Sequence, residues 1–161
     1  MTLIENIAKQ LLKRGEWLAL AESCTGGLIA KLATDLPGSS GWFDRGLITY
    51  SNRAKQELLG VPESLIKTHG AVSEACARAM VEGLLHHSPA HWGIAISGIA
   101  GPDGGTPEKP VGTVWLAWQR RGETMRVERH LFAGDRAQVR ARAADQALRT
   151  LEEMLGATPA M

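Results

Sequence analysis

The 161-residue chain has no apolar run long enough to cross a bilayer and no charged-then-apolar leader. This excludes a membrane-spanning helix and predicts a cytoplasmic protein with no membrane partner. It also lacks an excess of either charge: 18 Lys+Arg stand against 17 Asp+Glu, a net charge of +1. A general nucleic-acid binder carries a basic excess or stripe, so nucleic acid is not an expected partner. Only two cysteines occur, Cys24 and Cys76, too few for a disulfide framework and without C-x-x-C spacing, which suits a reducing compartment. The five histidines form no H-E-x-x-H pattern and have no cysteine nearby, so no transition-metal site is expected. Repeats, linkers and low-complexity segments are missing as well, and the length with 44% hydrophobic residues predicts a single domain over residues 1–161.

What is abundant is glycine, 18 residues, many of them clustered in apparent loops. The stretch 21–27, Ala-Glu-Ser-Cys-Thr-Gly-Gly, separates a short apolar run (17–20) from apolar residues at helical spacing (28–33). A strand entering a helix through such a turn builds an anion site from the unpaired first N–H groups and the helix dipole. The plainer alternative is that Ser23 and Thr25 only cap the helix. Around this stretch the periodicities predict helices at 3–14, 25–34, 53–59, 74–86 and 136–155, with a short one from Pro62. They predict strands at 17–21, 43–50, 92–97, 111–119 and 124–132, the last resembling an edge strand. The 13-residue loop 98–110, with four glycines, is long enough to suggest function. Alternating helices and strands closed by a hairpin and a helix predict an α/β fold, a three-layer α/β/α sandwich on a mixed, mostly parallel five-stranded sheet. Ligands in such folds bind beyond the carboxyl ends of the strands, where 22–27, 50–55 and 98–110 could meet.

Five stretches carry a resemblance: AESCTGG at 21–27, GSSGWFDRGLITYSNRAK at 38–55, HGAVSE at 69–74, SGIAGPDGGTPEKPVGTVW at 97–115 and FAGDR at 132–136. In this order and across nearly the whole chain, they resemble the C-terminal domain of the CinA proteins, and closely its stand-alone nicotinamide-nucleotide amidohydrolase form. The resemblance implies hydrolysis of the carboxamide of nicotinamide mononucleotide to nicotinate mononucleotide and ammonia, without metal or cofactor, and a homodimer. The alternative it leaves is a nucleotide-binding or regulatory module of the same fold that has lost turnover. A Rossmann-type oxidoreductase using Tyr50 and Lys55 would need G-x-G-x-x-G after the first strand, which the turn does not supply.

Amide hydrolysis needs a nucleophile, a base, a proton donor for ammonia and donors for the oxyanion. No histidine sits in a glycine-rich loop, which leaves Lys55 as the base, since a desolvated lysine can lose its proton. Ser40 is the first candidate nucleophile, in a loop with no capping duty, and Tyr50 is a proton relay. Ser23 with Thr25, Gly26 and Gly27 then supplies hydrogen bonds to substrate or oxyanion. Exchange of the two serines is the open alternative, and Ser39 and Ser97 are weaker candidates. Gly101, Gly104 and Gly105 with Arg136 are expected to hold the phosphate, with Arg140 in reserve. Each has a plain alternative: Lys55 an exposed helix lysine, Tyr50 a strand-end residue, Arg45 a partner of Asp44. Glu22 either orients a neighbour or meets the ribose. Cys24 is a packed turn residue, Trp115 and Trp118 face opposite sides of a strand, and the histidines at 86, 87 and 91 belong to a helix end.

Overall fold

The structure is a computed structural model describing residues 1–160. The elements run α1 (Leu3–Arg14), β1 (Leu18–Glu22), α2 (Leu28–Thr34), β2 (Phe43–Ile48), α3 (Asn52–Leu59), α4 (Glu63–His69), α5 (Glu74–His86), β3 (Trp92–Gly98), β4 (Thr113–Arg120), β5 (Arg126–Leu131) and α6 (Arg136–Ala157). A single 3-10 turn, Ser39–Gly41, interrupts the segment expected to be plain loop. The second helix begins three residues later than expected, so Thr25 and Gly26 lie in the turn and Gly27 is its N-cap.

The five strands form one sheet in the order β2-β1-β3-β4-β5. β1 is parallel to β2 and β3, and β4 is antiparallel to β3 and β5. Four strands therefore run one way and β4 runs against them, the mixed sheet the sequence predicts. The sandwich follows from side-chain alternation with very different residues on the two faces. Leu18 and Leu20 of β1, Ile94 and Ile96 of β3, and Leu116 and Trp118 of β4 face a large-residue core closed by α1, α2 and α6. Between them Ala19, Ala21, Ala95 and Ala117 face the layer of α3, α4 and α5. Small residues there let α5 lie close to the sheet. Close packing continues outward: a Cβ on Gly83 of α5 would stand 1.9 Å from the Leu59 carbonyl oxygen of α3. Only glycine admits that approach, which docks the helix carrying Lys55.

Register fixes which end of the sheet does what. Glu22, the last residue of β1, pairs with Ile48 of β2 and Ile96 of β3, while Leu18 pairs with Phe43. The turn 23–27, the segment 49–51, the loop 98–112 and the start of α6 thus gather at the carboxyl end. The 3-10 turn that holds Ser40 precedes β2 and lies at the amino end.

Candidate functional site

Lys55 is the centre of the site. It is the fourth residue of α3, whose N-cap Ser51 accepts the Ala54 N–H at 3.0 Å. Side chains on a helix lean toward its N-terminus, so the lysine runs back across the first turn and is only 1% exposed. Its Nζ donates to the carbonyls of Thr49 at 2.9 Å and Tyr50 at 3.1 Å, and to Ser23 Oγ at 3.0 Å. Among the described residues it makes no ion pair. Burial penalises the ammonium and lowers the pKa of Lys55 from 10.5, against weaker opposing effects of Cys76 and Cys24. A cation over a helix N-terminus is also poorly placed relative to the dipole.

In the charged state three N–H bonds match three acceptors. In the neutral state the two carbonyls hold the two remaining N–H groups, and the lone pair faces the Ser23 hydroxyl. A lone pair so placed is able to accept the hydroxyl proton. Ser23 is 7% exposed and follows β1 directly; its N–H donates to Ile96 O at 3.1 Å.

Glu22 locks the turn from behind. Its carboxylate accepts the N–H groups of Ile29 and Ala30 at 2.9 Å each, and its carbonyl accepts the Thr49 N–H at 2.8 Å. The expected anion site at the start of α2 is therefore filled by the chain's own carboxylate, and neither Ser23 nor Thr25 caps that helix. The same carboxylate is fully buried, with each oxygen committed to an N–H of α2. Thr25 Oγ1 and Thr49 Oγ1 are buried without a hydrogen-bond partner. Burial pushes the Cys24 thiol up to about 11, so it stays protonated beside the serine.

The other expected residues divide. Ser40 does not fit as a nucleophile served by Lys55, because the whole length of β2 separates its 3-10 turn from the lysine. Ser97 Oγ is engaged with Ala71 O at 2.8 Å. Tyr50 meets Lys55 through its main-chain carbonyl, while its exposed hydroxyl accepts from Arg136 Nη2 at 3.3 Å. Arg136 also donates to Gly101 O at 2.8 Å, and Arg140 donates to Cys24 O at 3.1 Å and Thr25 O at 3.0 Å. The loop glycines have a packing reason of their own. A Cβ on Gly101 would lie 2.4 Å from Val111 Cγ1, and one on Gly105 2.8 Å from Val111 N; Gly104 has φ +93°. Arg45 pairs with Asp44 and donates to His87 O at 2.9 Å. Among the described residues no group of three or more His, Cys, Asp or Glu could hold a metal ion.

The sequence is matched by the family model described as the CinA C-terminal domain over residues 1–155. The chain belongs to the CinA C-terminal domain family. Its relatives are of two lengths. A CinA-like protein of Syntrophotalea carbinolica is 52% identical over 155 residues, which are 96% of this chain but 37% of that protein. The chain thus spans little more than a third of these longer CinA relatives. The protein of Escherichia coli K12 named nicotinamide-nucleotide amidohydrolase PncC is 51% identical over 152 residues, 94% of this chain and 92% of its own length. Among solved structures, the competence damage-inducible protein A of Klebsiella pneumoniae superposes with a TM-score of 0.92 at 42% identity, covering 96% of this chain and 95% of that one. A CinA superfamily protein from Escherichia coli gives 0.88 at 33% identity, with 95% and 87% covered.

The sheet thus brings Ser23 and Lys55 together where parallel α/β folds place ligands. One contribution escaped sequence reasoning: the Thr49 and Tyr50 carbonyls act through the main chain, which no side-chain pattern reports. Glu22, expected either to orient a neighbour or to meet the ribose, holds the Ile29 and Ala30 N–H groups.

Proposed function

We propose that this chain hydrolyses the carboxamide of nicotinamide mononucleotide to nicotinate mononucleotide and ammonia, with Ser23 as nucleophile and Lys55 as base. The observation that carries this reading is the buried Lys55 Nζ, 3.0 Å from Ser23 Oγ and without a counter-ion; relatives named for that activity and matched over nearly their whole length support the substrate. Neutral Lys55 takes the Ser23 proton as Oγ attacks the carboxamide carbon. Turn N–H groups at Thr25 and Gly27, which have no acceptor in the described chain, receive the developing oxyanion. Lys55 then returns the proton to the departing nitrogen, which leaves as ammonia. The acyl-serine ester is cleaved by a water that Lys55 deprotonates, releasing nicotinate mononucleotide and restoring Ser23.

Arg136, exposed at the mouth beside the Tyr50 hydroxyl, is the proposed phosphate ligand, with the loop carrying Gly101, Gly104 and Gly105 as its wall. The same proposal places the protein in the cytoplasm as a homodimer. The test is ammonia release from nicotinamide mononucleotide with a chelator present, beside Ser23→Ala. Release that survives the chelator and disappears in the variant is expected. No release from wild type, with the nucleotide still bound in calorimetry, overturns the reading in favour of a non-hydrolysing binding module.

A further inference from the structure

The nucleophile turn is held from outside by a residue that touches none of the reacting groups. Arg140 projects from the second turn of α6, half-buried, and its Nε and Nη2 donate to the carbonyls of Cys24 and Thr25, at 3.1 and 3.0 Å. A planar guanidinium spans two adjacent carbonyls with two fixed bonds, which an ammonium cannot do. The consequence lies on the opposite edge of each peptide. Both bonds are trans, the one cis peptide among the described residues being Gly101-Pro102, so each N–H points away from the carbonyl that precedes it. With Thr25 O turned to Arg140, the Gly26 N–H closes the turn onto Ser23 O at 3.0 Å. With Cys24 O turned the same way, the Thr25 N–H is directed away from α6 and has no acceptor among the described residues. The local sequence fits this contact. Gly26 has φ +58°, and a Cβ there would come within 3.2 Å of Arg140 Nη2, so glycine leaves the guanidinium its place.

We infer that Arg140 is a positioning residue, not a phosphate ligand: it fixes the two peptide planes that follow Cys24 and Thr25 so that the Thr25 N–H is presented to the oxyanion. This rests on the reading of Ser23 as the nucleophile. It also separates two arginines one helical turn apart. Arg136 faces the mouth, while Arg140 has two of its donors committed to the main chain of the turn.

The experiment compares wild type with Arg140→Ala and Arg140→Lys in three measurements. These are kcat and KM for nicotinamide mononucleotide, the same constants for the phosphate-free nucleoside, and the rate at which an alkyl fluorophosphonate captures Ser23. In that capture the Ser23 oxygen bonds phosphorus while fluoride leaves and takes up the hydroxyl proton. The expected result is a fall in kcat of about 100-fold, the scale of one oxyanion donor, with KM little changed. The fall should be equal for nucleotide and nucleoside and parallel in the capture rate, with lysine giving no rescue and added guanidinium partly restoring the alanine variant. A raised KM at preserved kcat, confined to the phosphate-bearing substrate, overturns the inference and makes Arg140 a phosphate ligand. A lower melting temperature with unchanged rates also overturns it. Wild type that captures the probe at Ser23 but releases no ammonia refutes the substrate, and the capture rates then still decide Arg140. Failure of wild type to be captured at Ser23 removes the inference with its premise.

Discussion

Lys55 and Arg120 are two buried cations at opposite ends of one sheet, 1% and 4% exposed. At the amino end, Arg120 of β4 donates from Nη2 to Glu16 Oε1 at 2.6 Å, and the other oxygen of Glu16 accepts the Trp92 indole N–H at 2.6 Å. The guanidinium also lies 5.6 Å from the Trp92 ring centroid. At the carboxyl end, Lys55 has three neutral oxygens and no carboxylate. A guanidinium does not deprotonate in a protein, so its burial needs an anion; buried Glu16 supplies it, with the half-exposed Glu123 at 3.3 Å from Nη1 as a weaker second partner. An ammonium without one is pushed toward its neutral form, as the lowered pKa of Lys55 records. The lesson is that burial alone does not make a functional group. Burial with a counter-ion makes a structural joint, and burial without one favours the neutral amine.

The largest effect expected from this contrast is at Lys55. Lys55→Met keeps the length and removes the amine, and should lower ammonia release by about 1000-fold or more. The sign for stability is opposite to that for activity. Between the lowered pKa and 10.5 the unfolded chain binds the proton more readily than the folded one, so wild-type stability rises with pH through that window. Lys55→Met should therefore be at least as stable as wild type at neutral pH, with the gain shrinking as pH rises. In wild type, kcat/KM should climb with pH on a limb set below 10.5 by the same group. Melting curves and pH-rate profiles check both; a destabilised variant with a normal acid limb would break the comparison.

Next comes the paired end. Glu16→Gln keeps the shape but faces an amide N–H toward either Arg120 or Trp92, and leaves the buried guanidinium only its longer 3.3 Å contact with the half-exposed Glu123. Removing one partner of a buried pair costs about 3–5 kcal/mol, to be read from denaturant midpoints. Activity per folded molecule should stay within about twofold, since distant sites contribute independently. Loss of activity at full stability would mean that the two ends are coupled.

Sequence made the scaffold legible because its signals are local. Thr2 with Glu5 and Asp135 with Gln138 form capping boxes, Gly15 and Gly60 close helices, and the apolar periods match the strands. The site was legible in its residue types and less so in its partnerships. Lys55 is recognisable as a base in search of a serine. Which serine depends on strand register, a relation between distant segments that no window of sequence contains. The glycine loop is ambiguous in sequence for a related reason, since Val111 packing against Gly101 and Gly105 accounts for glycine there as well as a ligand does. Glu22 closing the start of α2 removed the most inviting anion site.

The smallest effect expected is the most discriminating between the two serines. Ser40 lies in the exposed 3-10 turn before β2, and β1 and β2 place that turn beside Leu18 rather than Glu22. Six residues of strand, at about 3.3 Å each, put it some 20 Å along the sheet from the groups that follow Ile48. No rotamer of serine or lysine spans that distance. Ser40→Ala should leave kcat, KM and the pH profile of ammonia release unchanged, while Ser23→Ala abolishes turnover on the same folded scaffold. A Ser40→Ala variant that lost activity would require the amino end of the sheet to reach a Lys55, and the only Lys55 in reach would then belong to another copy of the chain. The two variants mixed as a heterodimer would then regain activity, an outcome the single-chain Ser23-Lys55 geometry forbids.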